Sequence, residues 1–105
     1  MFTKEGVRVR TIGENGEGNG QFRSPTGVAV EPGPEGRLYV ADNSNQRVQV
    51  LTKTGEHVRT IGVTGRWGKG NHRLSHPYAV AAEPGPDGLL YVADSENWRV
   101  LVFVK

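Results

Sequence analysis

Apolar residues in this chain fall in short segments rich in Val, Ile, Leu and Tyr, and each segment is closed off by Gly, Pro, Asn or Asp. Segments of that length and composition, bounded by turn-formers, predict β-strands. They lie at residues 7–12, 27–30, 37–41 and 47–51, and again at 57–61, 78–82, 89–93 and 99–104. No segment carries the helical period of about 3.6 residues, so the pattern predicts an all-β chain of eight strands. The turns are chemically explicit. Pro32-Gly33-Pro34-Glu35-Gly36 combines fixed φ at proline with permissive glycine, and Lys53-Thr54-Gly55 suits a tight hairpin. Strands joined by such short connections run antiparallel.

The eight segments are one unit written twice. Thr3-Lys4-x-Gly6 returns as Thr52-Lys53-x-Gly55, and Val9-Arg10-Thr11-Ile12-Gly13 as Val58-Arg59-Thr60-Ile61-Gly62, both 49 positions on. Further along, the spacing becomes 52: Glu31-Pro32-Gly33 returns as Glu83-Pro84-Gly85, Leu38-Tyr39-Val40-Ala41-Asp42 as Leu90-Tyr91-Val92-Ala93-Asp94, and Arg47-Val48-x-Val50 as Arg99-Val100-x-Val102. The second copy is therefore three residues longer, with the addition near Arg66-Trp67-Gly68-Lys69. The chain reads as a single unit, 1–105, made of one repeat at 1–50 and another at 51–105. Identity between the copies is high enough to point to recent duplication or deliberate symmetrisation.

Pro25-x-Gly27-Val28-Ala29-Val30, Leu38-Tyr39-Val40-Ala41-Asp42 and Asn45-x-Arg47-Val48-x-Val50 together resemble the NHL repeat. The likeness extends over both copies, with Ala79 standing where the first has Gly27 and Trp98 preceding Arg99. The resemblance implies a β-propeller in which each repeat makes a four-stranded blade, strands a to d run outward from a central channel, and six blades are usual. On that frame residues 7–12 match strand d, so the chain reads d-a-b-c-d-a-b-c and ends on a strand c without its own d. Ring propellers close by letting an N-terminal strand complete the last blade, which removes exposed sheet edges. Two blades alone would leave apolar faces uncovered and the edge of 99–104 open. The expectation is a cyclic homotrimer, three two-blade chains closing head to tail into a six-bladed ring. Four chains giving eight blades, or a piece of a longer propeller, are the alternatives.

At 105 residues and 11.4 kDa the chain has room for one small domain. The absence of cysteine excludes disulfides, a thiolate nucleophile and cysteine-ligated zinc. No apolar run is long enough for a membrane span, and the N-terminal residues lack the pattern of a signal peptide. A natural protein with these features is expected in the cytoplasm, away from membranes. A net charge of +2 describes an arginine-weighted surface and not a polycation.

Candidate chemistry is sparse. Asp42-Asn43-Ser44-Asn45-Gln46-Arg47 and Asp94-Ser95-Glu96-Asn97-Trp98-Arg99 link strands b and c but lack the central glycine and terminal glutamate of an EF-hand calcium loop. They read as structural turns in which Asp42, Asn45, Asp94 and Asn97 cap, while Arg47 and Arg99 donate to an aspartate or a carbonyl. His57, His72 and His76 have no spacing that defines a metal site, and Ser24, Ser44, Ser75 and Ser95 sit in turns without a nucleophile elbow. The glycines of 13–20 lack the lysine and helix of a phosphate loop. No catalytic residue, metal or cofactor is expected, and the chain does not read as an enzyme.

The loops joining d to a differ most between copies. Residues 14–23 carry two acids and the base Arg23, whereas the second loop holds Arg66, Trp67, Lys69, His72, Arg73 and His76 with no acid. Cations interleaved with an aromatic suit single-stranded RNA, and Trp98 falls on the same propeller face. The resemblance adds that some NHL-containing proteins bind RNA through this surface. The leading expectation is a self-assembling propeller scaffold, an engineered or ancestral-like building block. The alternative is a natural binding module for RNA or a protein ligand.

Overall fold

Side chains alternate sides along a strand, so each apolar segment here presents one row of residues to each of two layers. The computed structural model describes residues 6–68, 70, 73–85 and 87–105. Among them are seven strands: β1 (Pro25–Val30), β2 (Arg37–Asp42), β3 (Arg47–Thr52), β4 (His57–Gly62), β5 (Pro77–Ala82), β6 (Leu89–Asp94) and β7 (Arg99–Val104). The first four form one antiparallel sheet in chain order, and the last three form a second. Short 3-10 turns at Asn43–Asn45 and Ser95–Asn97 join β2 to β3 and β6 to β7. Strand β4, which opens the second sequence copy, completes the first sheet.

Residues 7–12, expected as an eighth strand, are not one: they join neither sheet. A strand exists only as part of a ladder, and β4 already occupies the outer edge of the first sheet. The segment lies beside that sheet instead, where Arg10 Nη1 donates to the Lys53 carbonyl at 3.2 Å. The inner strands also begin earlier than their apolar pattern suggested. Pro25 and Pro77 are each the first residue of a strand, where a missing N–H costs no ladder bond, and the register shifts directly after them.

The core is the seam between the sheets. Tyr39, Val48, Val50 and Ile61 of the first sheet cluster with Leu74, Leu90 and Val92, and Ala29, Val80, Ala82, Leu101 and Phe103 pack around them. Gly27 permits the close approach of β1 to β5, because a Cβ there would lie 3.0 Å from the Ala79 Cα and from the Tyr78 carbonyl oxygen. Thr26 Oγ1 donates to that same carbonyl at 2.6 Å, and Asn43 Nδ2 to the Pro77 carbonyl at 3.2 Å.

Candidate binding surfaces

Each b-to-c turn is built on an aspartate–arginine ion pair, wholly buried in the first sheet and partly buried in the second. Asp42 and Arg47 face each other across the end of the β2–β3 ladder. Asp42 Oδ2 accepts from Arg47 Nε at 2.7 Å and from Asn45 Nδ2 at 3.0 Å, while Oδ1 accepts the Arg23 N–H at 2.7 Å. The rest of the guanidinium donates to the carbonyls of Glu17, Gly18 and Gln21 and to Thr64 Oγ1. Arginine has five N–H donors, and all are used here. Such a charge, taken wholly out of water, is tolerable only because it is paired and every donor is satisfied.

The second sheet repeats the arrangement. Asp94 Oδ2 accepts from Arg99 Nε at 2.7 Å and from Asn97 Nδ2 at 2.9 Å, and Oδ1 accepts the Ser75 N–H at 2.6 Å. Arg99 Nη2 reaches the carbonyls of Gly70 and Arg73, and Asn97 Nδ2 that of Gly68. The turn residues therefore pin Glu17, Gly18, Gln21 and Arg23 to the first b-to-c turn and Gly68, Gly70, Arg73 and Ser75 to the second, placing both loop types on one face. The carboxylates that could have suggested calcium are spent on these N–H groups.

On this loop face the candidate ligand residues separate. Trp67 is 65% exposed and Trp98 is 94% exposed, while Arg66 and Arg73 are also exposed. Lys69 and His72 lie outside the described residues. Arg23 is engaged by Glu17 at 3.1 Å. His76 stands at the seam, where Gln46 Oε1 accepts its backbone N–H at 2.6 Å and Glu96 lies 3.3 Å from its Nδ1. His57 is elsewhere, on β4, with Nε2 2.8 Å from Thr60 Oγ1. Among the described residues no group of three acidic or histidine side chains could hold a metal ion.

The opposite face carries a cluster that the motif reading passed over. Glu31 accepts the Arg37 N–H with Oε1 and pairs with Lys105, whose ammonium also reaches the Glu83 carbonyl. Burial alone would raise the Glu31 pKa, but the hydrogen bonds from Lys105 and the Arg37 backbone outweigh it and hold the carboxyl below its usual value. Tyr39 is pushed up to about 12 by burial first and by its hydrogen bond to Glu31 second. The recurrence of Glu31 as Glu83, and of Lys53 as Lys105, was the available signal.

The remaining surfaces are the outer faces of the two sheets. On the first, Val28, Val30 and Leu38 line a groove of about 460 Å³ with Thr11 and Ile12. On the second, Val100, Val102 and Val104 of β7 stand exposed beside Ala81, Tyr91 and Ala93.

The NHL repeat model matches residues 22–51, from the end of the first long loop through β3. Protein lin-41 of Caenorhabditis elegans is 40% identical over 50 residues, 48% of this chain and 4% of that protein. Protein brain tumor of Drosophila melanogaster is 30% identical over 92 residues, 88% of this chain and 8% of that protein. E3 ubiquitin-protein ligase TRIM71 of Rattus norvegicus is 42% identical over 50 residues, 48% of this chain and 6% of that protein. The chain thus spans under a tenth of the length of each of these relatives.

Proposed function

From the premise that this chain is an NHL-repeat protein, we propose that it is a non-catalytic binding module whose partner is another copy of itself. Two-blade chains associate head to tail, three of them closing a six-bladed ring. The observation that carries the reading is a pair of valines: Val48 and Val50 are 0% and 2% exposed, and their repeat equivalents Val100 and Val102 are 63% and 52% exposed. The first pair is covered by the β5–β7 sheet. The second has the same sequence context and backbone register and is open.

The chain also carries the surface that would cover it. Val80, Ala82 and Leu90 pack on Val48 and Val50, and their equivalents Val28, Val30 and Leu38 line the open groove. The face that needs a cover and the cover itself lie at opposite ends of one chain, which makes the contact heterologous. Residues 7–12 are held ready for it. Arg10 donates to the Lys53 carbonyl as Arg59 of β4 donates to the Lys105 carbonyl, and Gly13 abuts Phe22 as Gly62 abuts Leu74. The segment therefore stands to the first sheet as β4 stands to the second, and would extend the β7 edge of the next copy.

Light scattering over a concentration series tests this. Three chains of 11.4 kDa give a particle of about 34 kDa. A mass of 11.4 kDa at every concentration overturns the reading.

A second reading rests on the exposed Arg66, Trp67 and Arg73 of the loop face, a set suited to single-stranded RNA. It requires binding that weakens steeply with salt and is lost in the Arg66→Glu, Arg73→Glu double variant.

A further inference from the structure

The filled seam within the chain serves as a template for the open one, residue by residue, and it assigns further contacts to side chains at the open ends. At the loop end of the filled seam, Gln46 of the first sheet meets His76 of the second: Oε1 accepts the His76 N–H, and Nε2 lies 3.4 Å from the ring. The repeat equivalents are Trp98 for Gln46 and Ser24 for His76. All four positions have left-handed backbone, with φ of 59° at Gln46, 56° at Trp98, 52° at His76 and 55° at Ser24. Non-glycine residues rarely adopt that region, so the shared geometry shows that the two junction sites are built alike. Trp98 follows the Ser95–Asn97 turn as Gln46 follows the Asn43–Asn45 turn, yet it stands 94% exposed.

At the other end of the filled seam, Glu31 of the first sheet pairs with Lys105 of the second. The equivalents are Glu83 and Lys53. Glu83 Oε1 accepts the Leu89 N–H at 2.9 Å, as Glu31 Oε1 accepts the Arg37 N–H at the same distance. Lys53 already reaches the Gly33 carbonyl in its own sheet's a-to-b turn, as Lys105 reaches that of Glu83. Glu83 thus holds its strand as Glu31 does in the filled seam, and Lys53 lies over the a-to-b turn of its own sheet as Lys105 does.

Resting on the self-assembly reading above, we infer that a second copy is anchored in one register by Trp98, which lodges against Ser24 of that copy, and by Glu83, which pairs with its Lys53. The open seam exchanges two mid-sized partners, glutamine and histidine, for one large and one small. A tryptophan buried against a serine has the size and flat apolar surface of an interface anchor. The inference removes Trp98 from the set of residues available to stack on a ligand at the loop face.

The test uses the full chain with Trp67→Phe, so that Trp98 is the remaining tryptophan. In the assembled particle its fluorescence should shift to the blue and resist quenching by acrylamide, and both properties should revert on dilution to single chains. Trp98→Ala should weaken association about 30-fold, the loss expected for an anchor residue. The paired exchange Trp98→Gln with Ser24→His transplants the internal junction and should restore most of that loss, whereas Ser24→His alone should crowd Trp98 and weaken assembly. Lys53→Glu and Glu83→Lys should each weaken it, and the two together in one chain should recover it. A wild-type chain that never assembles overturns both the self-assembly reading and this register. Full assembly with Trp98 still freely quenched, or with Trp98→Ala unaffected, overturns the register alone.

Discussion

Val48 and Val100 occupy the same place in two sheets of nearly the same sequence, yet one is wholly buried and the other is largely exposed. Strand propensity, register and turn chemistry are shared, so none of them accounts for the contrast. What differs is the neighbour. A propeller blade is apolar on both faces and acquires a core only by stacking, so burial here belongs to a pair of blades and not to a blade. The same holds for the arginines: Arg47 has side-chain exposure of 2%, and Arg99, with the same aspartate contact, 27%. Thr64, which follows β4, supplies one of the Arg47 acceptors. Its equivalent for Arg99 is Asn15, which precedes the first sheet.

The sharpest way to break the comparison is a charge at each valine. Val48→Asp places a carboxylate in the apolar seam, and should cost about 4 kcal/mol or more. For a domain of this size that is most of its stability, so cooperative unfolding should be lost in a denaturant titration. Val100→Asp should leave the circular dichroism of the single chain unchanged while abolishing assembly. Equal damage to the fold from both changes would mean that the second outer face is covered within one chain.

The arginine pair gives a graded version. Arg47→Ala strands Asp42 without its cation and leaves three loop carbonyls short of a donor, an expected loss of about 3–5 kcal/mol. Arg99→Ala should cost about half as much in the single chain, because water reaches that site. Urea midpoints of the two variants measure the difference. It should narrow under conditions where the protein is assembled.

Much of this architecture is legible in the sequence. Seven of the strands, the hairpin turns and the antiparallel order follow from alternation and turn-formers, since those are local properties of the chain. Residues 7–12 form no strand for a non-local reason: their pattern is right, but a ladder needs an edge, and β4 fills the outer edge of the first sheet. The two turn arginines were legible as donors. That Arg47 serves five acceptors was not, because three of them are carbonyls in a loop with no pattern of its own. His76 and Trp98 were grouped as ligand residues by their chemistry. In the structure His76 meets Gln46 at the seam, and in the alignment of the copies Trp98 is the equivalent of Gln46.

Tyrosine titration sharpens the same comparison without a mutation in the seam. Burial pushes the Tyr39 hydroxyl from its ordinary 10.0 up to about 12, so its contribution to stability is fully present below pH 10 and is lost as pH rises toward 12. Tyr91 is also raised, by burial first and then by Glu83, yet it lies on the open face. In single chains the absorbance titration should show Tyr91 ionising before Tyr39. On assembly the two should converge, because the second copy would cover Tyr91 as the β5–β7 sheet covers Tyr39. Convergence without a change in particle mass would argue against copy–copy contact as its cause.

The smallest effect is the most informative about ring size. Because Gly27 and Ala79 differ at the channel end, and Gln46–His76 differs from Trp98–Ser24 at the loop end, the two kinds of seam cannot be identical. A closed ring then alternates them, and its symmetry counts chains and not blades. Lys53→Glu chains mixed with Glu83→Lys chains favour unlike neighbours, since each unlike junction pairs opposite charges and each like junction opposes equal ones. A ring with an even number of chains can alternate throughout; a ring of three must keep one repulsive junction. That penalty is about 1 kcal/mol for a partly exposed pair. Native mass spectrometry of an equimolar mixture, with one variant isotope-labelled, should therefore show trimers of both two-to-one compositions in reduced yield relative to the double variant. An alternating tetramer in full yield would replace three chains with four.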